Sequence, residues 1–419
     1  MRVLQVASLP SGGAFRAMYR LHYGLRAEGI ESFCLSLDSG GHPDVEAARS
    51  PIGRRLFERL ERMPVRWARK IAGHDEFNAN WAPGALRAAV GRLKPDVVHL
   101  HWVGRSMMQI EDLPRLGVPI VWTLHDFWPL TGGCHVPFDC ARHLEGCGAC
   151  PQLGSTSRHD LSRWVFRRKE KAWAETEVIF VAPSRWIADL ACKSHILPRK
   201  RVEVVANGMD LEIFFPVDKR AARAALGLDP DASFLLFGAF ASLENNGKGF
   251  QFLKPTLQEM LRSSKRREPP TLLIMGASKP DSPPDLPIPT HFLGTLRDDI
   301  SLRIAFSAAD NTLVPSLWET FGQMASESLA CGTPVVAFGT SGLLDIVEPN
   351  INGFLARPFD TTDLGRCLAE ALAPGRAYDL SEAARASAIR KFDVAVMAKK
   401  HIAIYAGLQG GAPSSKMLG

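Results

Sequence analysis

Short apolar runs alternate with helical patterns along almost the whole chain, and this alternation limits the folds open to it. The first set of runs consists of MRVLQVAS, DVVHLHW, PIVWTLHDF, VIFVAPS and VEVVANGMD. A second set, after a linker near LEIFFPVDKR, consists of FLLFGAF, TLLIMGAS, THFLGTL, NTLVPS and TPVVAFG. Such runs are typical of strands that a parallel sheet buries on both faces. The pattern therefore predicts two doubly wound α/β domains.

The length of the chain supports two domains, because 419 residues exceed what one ordinary core organises. We place the first domain at residues 1–205, with a cysteine-rich insertion at 132–153. The second domain is placed at residues 206–384. A helical run over residues 385–408 and a polar tail over 409–419 end the chain.

Hydropathy and charge exclude several classes of protein. The apolar runs fall short of the ~20 residues that a membrane-spanning helix needs. The N-terminus has too short an apolar core for a signal peptide, so we expect a cytoplasmic protein. The formal net charge of +6 is a mild excess, which does not by itself indicate nucleic-acid binding.

Two stretches concentrate basic and aromatic side chains. RRLFERLERMPVRWARKIAG begins at Arg54, and SRWVFRRKEKAW begins at Ser162. Such stretches can lie on anionic lipid, which would make the protein peripheral to the inner face of the cytoplasmic membrane. The alternative is a solvated helix face with an ordinary core stripe, with Pro64 breaking the first helix. The sequence leaves both interpretations open.

A pair of glutamates marks the second domain. Glu319 and Glu327 lie eight positions apart in PSLWETFGQMASESLACGTPVV. The segment from Gly322 predicts a helix that Gly332 and Pro334 close, with Glu319 in the loop before it. Carboxylates accept hydrogen bonds from hydroxyls, and amides at a helix start bind phosphates. Together they indicate a pocket for a nucleotide that carries a sugar.

This segment resembles the E-x7-E signature of the retaining, nucleotide-sugar-dependent glycosyltransferases of family four, and the resemblance runs from the first strand to the last helix. It implies the GT-B fold, in which two Rossmann-like domains face a cleft and the final helix crosses back to the first domain. The cysteine-rich insertion is similar to that of transferases of the colanic-acid and exopolysaccharide type. That likeness implies a role in surface polysaccharide or lipopolysaccharide synthesis.

The resemblance also implies roles for residues of the second domain. Glu327 would accept hydrogen bonds from the ribose and Glu319 from the donor sugar. The amides of Phe321 and Gly322 would meet the sugar or the diphosphate. The loop HFLGTLRDD is similar to the one that cradles the nucleobase, through the backbone of Gly294, Thr295 and Leu296.

One lysine is expected to stabilise the leaving diphosphate. Similar enzymes carry Gly-Arg at the end of the first strand of the second domain and Lys-Gly after the next loop. Lys248 and Gly249 match the second part, whereas Ala239 stands where the arginine is common. A leaving diphosphate needs positive charge or aligned dipoles. Either Lys248 with helix amides suffices, or another arginine substitutes.

Two features of the first domain are expected near the same ligand. Gly12 and Gly13 follow the first strand, where small residues let the backbone approach a diphosphate or an acceptor. His125 follows a buried strand, at the point where similar enzymes hold a histidine close to the transferred sugar. No G-x-G-x-x-G follows the first strand, which argues against a dinucleotide-dependent oxidoreductase.

Half of the eight cysteines fall within one loop, at Cys134, Cys140, Cys147 and Cys150. In a cytosolic protein such clusters are more often metal ligands than disulfides. Four thiolates suit a closed, tetrahedral zinc site without a catalytic role. His135 and His143 are candidate substitutes, and free cysteines or a redox pair are the alternatives.

These observations predict a glycosyltransferase that moves a sugar from a nucleotide-diphosphate donor to a lipid-linked or other glycan acceptor. The resemblance implies a front-face mechanism with retention of configuration. No metal or other cofactor is expected in the transfer step, because the one Asp-x-Asp triplet, at residues 229–231, precedes a strand. Two alternatives stay open: an epimerase that acts on a nucleotide sugar, and an inactive scaffold that binds one.

Overall fold

The structure, a computed structural model, describes residues 1–70, 76–197, 200–238, 246–264, 266–374 and 376–409. The chain divides into two compact units. The first unit comprises Met1–Ala206 together with the C-terminal stretch that begins at Ala395, and the second comprises Asn207–Val394. Each unit contains one parallel sheet with helices between its strands, which confirms the predicted α/β class.

The first unit is built on seven strands. They are β1 (Arg2–Val6), β2 (Glu31–Ser36), β3 (Val45–Ala47), β4 (Val97–Leu100), β5 (Ile120–Thr123), β6 (Val178–Ala182) and β7 (Lys200–Val204). They form one parallel sheet in the order β3-β2-β1-β4-β5-β6-β7. The helices between them are α1 (Gly12–Ala27), α2 (Pro51–Ala68), α3 (Leu86–Leu93), α4 (Leu161–Trp173) and α5 (Arg185–Lys193). The core packs strand residues such as Leu4, Val98 and Trp122 against these helices.

The second unit is built on six strands. They are β8 (Phe234–Gly238), β9 (Thr271–Met275), β10 (Thr290–Gly294), β11 (Asn311–Val314), β12 (Val335–Phe338) and β13 (Gly353–Ala356). They form a parallel sheet in the order β10-β9-β8-β11-β12-β13. The helices are α6 (Lys219–Ala225), α7 (Leu253–Ser263), α8 (Asp299–Ala308), α9 (Gln323–Ala330), α10 (Leu343–Ile346), α11 (Thr361–Ala371) and α12 (Arg376–Phe392).

The C-terminal helical run is broken where the sequence analysis expected it to continue. Helix α12 ends at Phe392, and α13 (Val394–Gln409) follows after Asp393, whose backbone bridges to Met209. The chain joins the first unit at Ala395. The interruption therefore coincides with the point at which the chain passes from one unit to the other.

Both sheets have a topological switch point, where the strand order reverses direction. In the first unit the reversal lies between β1 and β4, and in the second between β8 and β11. Ligands of open α/β sheets bind at the carboxyl ends of the strands at such points. The loops that follow these four strands are therefore where a site is expected in each unit.

Helix α2 continues through Pro64 to Ala68, so the expectation that Pro64 breaks it is wrong. Proline cannot donate to the carbonyl four residues earlier, which belongs to Leu60. That carbonyl instead accepts a hydrogen bond from the indole Nε1 of Trp81 at 3.1 Å. The freed acceptor is thereby satisfied, and the helix tolerates the proline.

The second basic stretch has the core stripe that the alternative interpretation expected. It forms α4, whose Val165, Phe166 and Trp173 belong to the core of the first unit. Within the described ranges no helix is both long and apolar enough to cross a membrane.

Candidate active site

The loop between β11 and α9 occupies the switch point of the second sheet. Gly322 caps α9 with φ of 110°, a left-handed conformation that side chains rarely adopt. A Cβ atom on Gly322 would lie 3.0 Å from Leu343 Cδ2, so the site also lacks space for one. The helix predicted from Gly322 begins at Gln323 and ends at Ala330. Its N-terminal amides therefore open at the carboxyl edge of the sheet.

Lys248 and Glu319 form an ion pair at this edge, with 2.6 Å between Nζ and Oε1. Lys248 ends a short turn that follows β8, and Glu319 lies in the loop that follows β11. Gly249 lets these two loops approach closely, because a Cβ at this position would lie 1.8 Å from the carbonyl oxygen of Pro315. The neighbouring strands thus place one cation and one carboxylate side by side.

Glu319 is fixed by further hydrogen bonds that the sequence analysis did not foresee. Its Oε1 accepts from Ser316 Oγ at 2.9 Å, and its backbone N–H donates to Ser341 Oγ at 2.8 Å. The N–H of Gly342 donates to the Glu319 carbonyl at 2.9 Å. Ser316 stands in the quoted motif, but Ser341 follows β12 and only the fold brings it here. The carboxylate is therefore held in one orientation before any ligand binds.

Glu327 and Phe321 are buried around the same helix start. Glu327 is the fifth residue of α9 and only 3% exposed. Phe321 packs edge-on against Phe392, with ring centroids 5.6 Å apart. Glu319 and Glu327 therefore stand at different depths, one on the loop and one about a turn inside the helix.

The other predicted donor-side residues lie along the same sheet edge. Gly294 ends β10 with φ of 70°, and Thr295 and Leu296 follow it in the loop before α8. The N–H of Gly276, which follows β9, donates to the Gly294 carbonyl at 2.7 Å. Ala239, where an arginine was expected, lies outside the described residues.

In the first unit, Gly12 and Gly13 form the first turn of α1 rather than a loop before it. Gly12 has φ of 86°, and a Cβ on it would meet no atom within 4 Å. Both glycines are exposed at the carboxyl end of β1, and no acidic residue stands in the first turn. The start of α1 thus presents backbone amides at the switch point of this sheet.

His125 lies one residue beyond the Leu124 that follows β5, at the same edge of the first sheet. Its Nε2 is 2.9 Å from Nδ1 of His101, which follows β4. Burial lowers the pKa of His125 to about 4 and holds that of His101 well below its usual range. Both imidazoles are therefore neutral near pH 7.

The residue after His125 organises the neighbouring loop. Asp126 Oδ2 lies 2.5 Å from His135 Nδ1, and its Oδ1 accepts from the backbone N–H of Trp128. The Nε2 of His135 lies 2.8 Å from the side-chain amide nitrogen of Asn78. His135 is thus committed to this network, which argues against its use as a substitute metal ligand.

The four clustered cysteines line one small cavity, together with His143 and Phe77. Burial raises the pKa of Cys134 and of Cys147 to about 12. Across the described residues, no three His, Cys, Asp or Glu side chains are gathered closely enough to hold a metal ion. The structure therefore brings the four thiols around one space without forming a ready coordination shell.

Comparison with known families matches both units. Residues 11–213 match the family described as Glycosyltransferase Family 4, and residues 233–373 match the family described as Glycosyl transferases group 1. The second match contains Lys248, Glu319 and Glu327, and the first contains His125.

Similar curated proteins carry the name D-inositol 3-phosphate glycosyltransferase. That of Frankia alni is 31% identical over 306 residues, which is 66% of this chain and 68% of that protein. That of Mycobacterium sp. (strain KMS) is 27% identical over 379 residues, which is 85% of this chain and 76% of that protein. A relative from Catenulispora acidiphila is 36% identical over 206 residues, 45% of this chain and 47% of its own length. These names differ from the colanic-acid type, so that finer resemblance stays a prediction.

Solved structures share the fold at low identity. Sucrose-phosphate synthase from Thermosynechococcus elongatus has a TM-score of 0.68 and 18% identity, covering 97% of this chain and 99% of its own. Anabaena HepE, solved in complex with UDP and glucose, has a TM-score of 0.66 and 18% identity, covering 97% of this chain and 100% of its own.

Proposed function

The chain belongs to the family 4, group 1 glycosyltransferases, and from this premise we propose that it transfers a sugar from a nucleoside-diphosphate sugar with retention of configuration. The observation that carries the proposal is the Lys248–Glu319 ion pair at the switch point of the second sheet. There the lysine ammonium neutralises charge on the leaving diphosphate, and the carboxylate accepts from a sugar hydroxyl.

The division of roles follows from the chemistry of each group. Glu327, on the helix, accepts from the ribose hydroxyls, and the amides of Phe321 and Gly322 meet the sugar or the diphosphate. Gly294, Thr295 and Leu296 offer backbone groups to the base. In a front-face reaction the leaving phosphate oxygen takes the proton of the acceptor hydroxyl, so no protein nucleophile is needed. The anomeric carbon of the sugar then breaks its bond to the phosphate oxygen and bonds to the acceptor oxygen on the same face.

A panel of UDP-, GDP- and ADP-sugars tests this proposal. The matching donor raises the melting temperature of the full chain, because it binds only the folded state. With acceptor present, proton NMR of the product shows the anomeric configuration of the donor. Asp285→Ala, which removes an exposed ion pair with Lys254 in the same unit, is the control variant and keeps transfer. Inverted product overturns retention, and no donor-dependent shift overturns the donor site.

The acceptor is proposed to be a polyhydroxyl compound that bears a phosphate. The similar curated proteins are named for an inositol 3-phosphate acceptor, and a lipid-linked glycan presents the same two chemistries. The start of α1, where Gly12 and Gly13 are exposed, suits such a phosphate because a helix N-terminus attracts anions. Parallel assays with inositol phosphate and with a diphosphate-linked glycan lipid separate the two sources. Transfer to unphosphorylated sugars alone contradicts the proposal.

We propose in addition that α2 docks on an anionic membrane surface. Its exposed face carries an apolar strip beside a basic strip, since residues spaced three and four apart share a face. Ile52 and Trp67 are each 81% exposed and Leu56 is 54% exposed. Beside them lie the exposed basic residues Arg55, Arg59, Arg62, Arg66 and Lys70. Glu61 is the one residue of this helix that is fully buried, and Val65 packs against a core cluster, whereas Ile52, Leu56 and Trp67 face solvent.

Vesicle flotation tests this docking surface. Binding to phosphatidylserine vesicles is expected to exceed binding to phosphatidylcholine vesicles and to weaken with salt, at ~1 kcal/mol for each basic side chain. Trp67→Ser and Arg59→Gln each lower binding, whereas Ile351→Ser, an exposed apolar position in the second unit, leaves it unchanged. Equal flotation with both lipids would favour a soluble acceptor and no membrane docking.

We further propose that Cys134, Cys140, Cys147 and Cys150 bind a structural Zn²⁺. The cavity that they line has a volume of 20 Å³, and about 10–15 Å³ suffices for one water-sized body. The backbone N–H of Gly132 already donates to Cys147 Sγ at 3.2 Å. Burial raises the pKa of Cys134, Cys147 and Cys150, so these thiols are protonated without a metal, and a coordinating Zn²⁺ would deprotonate them. Binding requires the side chains to turn inward from their present positions.

Elemental analysis of protein purified without chelator tests the zinc proposal, with one zinc per chain expected. Cys147→Ser loses the metal and lowers the melting temperature, since metal binding is coupled to folding. Cys192→Ser, an exposed cysteine outside the cluster, retains both. Metal-free protein with unchanged stability would contradict the proposal.

A further inference from the structure

A chain of buried polar side chains runs behind His125 and reaches the C-terminal helix. His101, Gln5, Tyr405 and His99 are each at most 4% exposed. They come from β4 and the residue that follows it, from β1 and from α13, which are far apart in sequence. Buried polar groups in such number are costly unless they are mutually hydrogen-bonded.

With Gln5 oriented as in the structure, the hydrogen bonds of this chain set the position of each proton. Gln5 Oε1 lies 2.8 Å from His101 Nε2, and an amide oxygen can only accept. His101 Nε2 therefore carries hydrogen, and in the neutral ring Nδ1 has none. Nδ1 of His101 must then accept from His125 Nε2, at 2.9 Å.

The far side of the chain continues from Gln5. The Gln5 amide nitrogen donates to the Tyr405 hydroxyl at 3.4 Å. That hydroxyl lies 2.6 Å from His99 Nδ1, and His99 Nε2 lies 2.8 Å from Thr123 Oγ1. With Gln5 in this orientation, Tyr405 accepts from Gln5 and donates to His99, whose other nitrogen donates to Thr123. Reversing the Gln5 amide would reverse every one of these bonds and move the hydrogen of His101 to Nδ1, so the orientation of Gln5 decides both tautomers.

We propose that Gln5, His101 and Tyr405 are positioning residues that hold His125 as its Nε2–H tautomer, so that Nδ1 accepts a hydrogen bond from a sugar hydroxyl. The inference rests on the proposed role of His125 in sugar transfer. The inference extends the site to α13, because the Tyr405 hydroxyl influences the tautomer of His125 through two intervening residues, Gln5 and His101. A neutral ring whose Nδ1 carries no hydrogen can accept a hydrogen bond from a hydroxyl at that atom. An imidazolium could not, because both of its ring nitrogens donate.

Long-range proton–nitrogen NMR of histidine-labelled full chain tests the tautomers without any assay of activity. Both His101 and His125 are expected as Nε2–H, with assignments from single His→Gln variants. An Nδ1–H tautomer or an imidazolium at either residue near pH 7 would overturn the inference.

Kinetics give the second test. Tyr405→Phe removes the hydroxyl that orients Gln5, and is expected to lower kcat about tenfold, the scale of a small misplacement at the reacting centre, with donor KM unchanged. Tyr23→Phe makes the same chemical change at a surface hydroxyl bonded to Asp44 and leaves kcat unchanged. A folded Tyr405→Phe protein with normal kcat overturns the inference. Full turnover in His125→Ala would instead overturn the proposed role of His125. The two variants therefore distinguish a failure of that role from a failure of the positioning network.

Discussion

The carboxyl edges of the two sheets are built from opposite kinds of polar group. The second unit places a charged pair there, Lys248 and Glu319, joined at 2.6 Å. The first unit places neutral imidazoles there, His101 and His125, joined at 2.9 Å. Of the 12 histidines in the chain, only His291 belongs to the second unit.

The difference indicates a division of labour. Charge stabilises charge, so the edge with the ion pair suits the diphosphate that leaves. Neutral rings of fixed tautomer suit hydroxyl groups, whose hydrogen bonds have a direction but no charge to neutralise. The comparison therefore predicts that variants of the two edges fail in different ways.

The largest effect is expected from Glu319→Ala. Removing the carboxylate would abolish the proposed hydrogen bond to the donor sugar and break the ion pair with Lys248, so kcat is expected to fall about 100-fold to 1,000-fold. Affinity for the nucleoside diphosphate alone changes little, because that ligand has no donor sugar. Steady-state kinetics and calorimetric titration measure the two quantities. An equal loss in both would remove the assigned contact to the sugar.

Lys248→Ala is expected to come next. Transfer is expected to slow by about 100-fold because the leaving diphosphate would lose the cation proposed to neutralise it, and the loss should be smaller for Lys248→Arg. Lys254→Ala, at an exposed ion pair of the same unit, serves as the control. A near-normal rate in Lys248→Ala would move the phosphate contacts to another part of the second unit.

The fold and the local structure around Lys248 and Glu319 could be predicted largely from local sequence, whereas the buried network behind His125 could not. The predicted helix from Gly322, the strand ends and Lys248 depend on residues close in sequence. Strands β2, β3 and β13 were missed because they are short or carry polar residues. Gln5 and Tyr405 meet across 400 positions, and no local pattern reports such a contact. Ser341 was missed for the same reason.

A smaller, pH-dependent effect is expected in the first unit. Burial lowers the pKa of His401 to about 4 and holds that of His99 well below its usual range. The unfolded chain takes up protons below about pH 6.5 while these rings stay neutral in the fold, so stability is lost as pH falls from there. Each such histidine costs about 1.4 kcal/mol at about pH 5.5.

Tryptophan fluorescence can follow this effect, because eight of the nine tryptophans lie in the first unit and only Trp318 in the second. Thermal melts at about pH 7.5 and about pH 5.5 are expected to show a lower melting temperature at the lower pH. A first unit whose melting temperature rises on acidification would show that these rings are charged in the fold.

The division of labour is tested most directly by the affinity of the full chain for a nucleoside diphosphate without sugar, measured by calorimetry in two variants. Glu327→Ala is predicted to bind at least about tenfold more weakly, because hydrogen bonds from the ribose to a carboxylate, at about 1.5–3 kcal/mol each, are lost. His125→Ala is predicted to bind like the unmodified chain while turning over slowly. Equal affinities in Glu327→Ala and the unmodified chain, or equal weakening in both variants, would contradict the account.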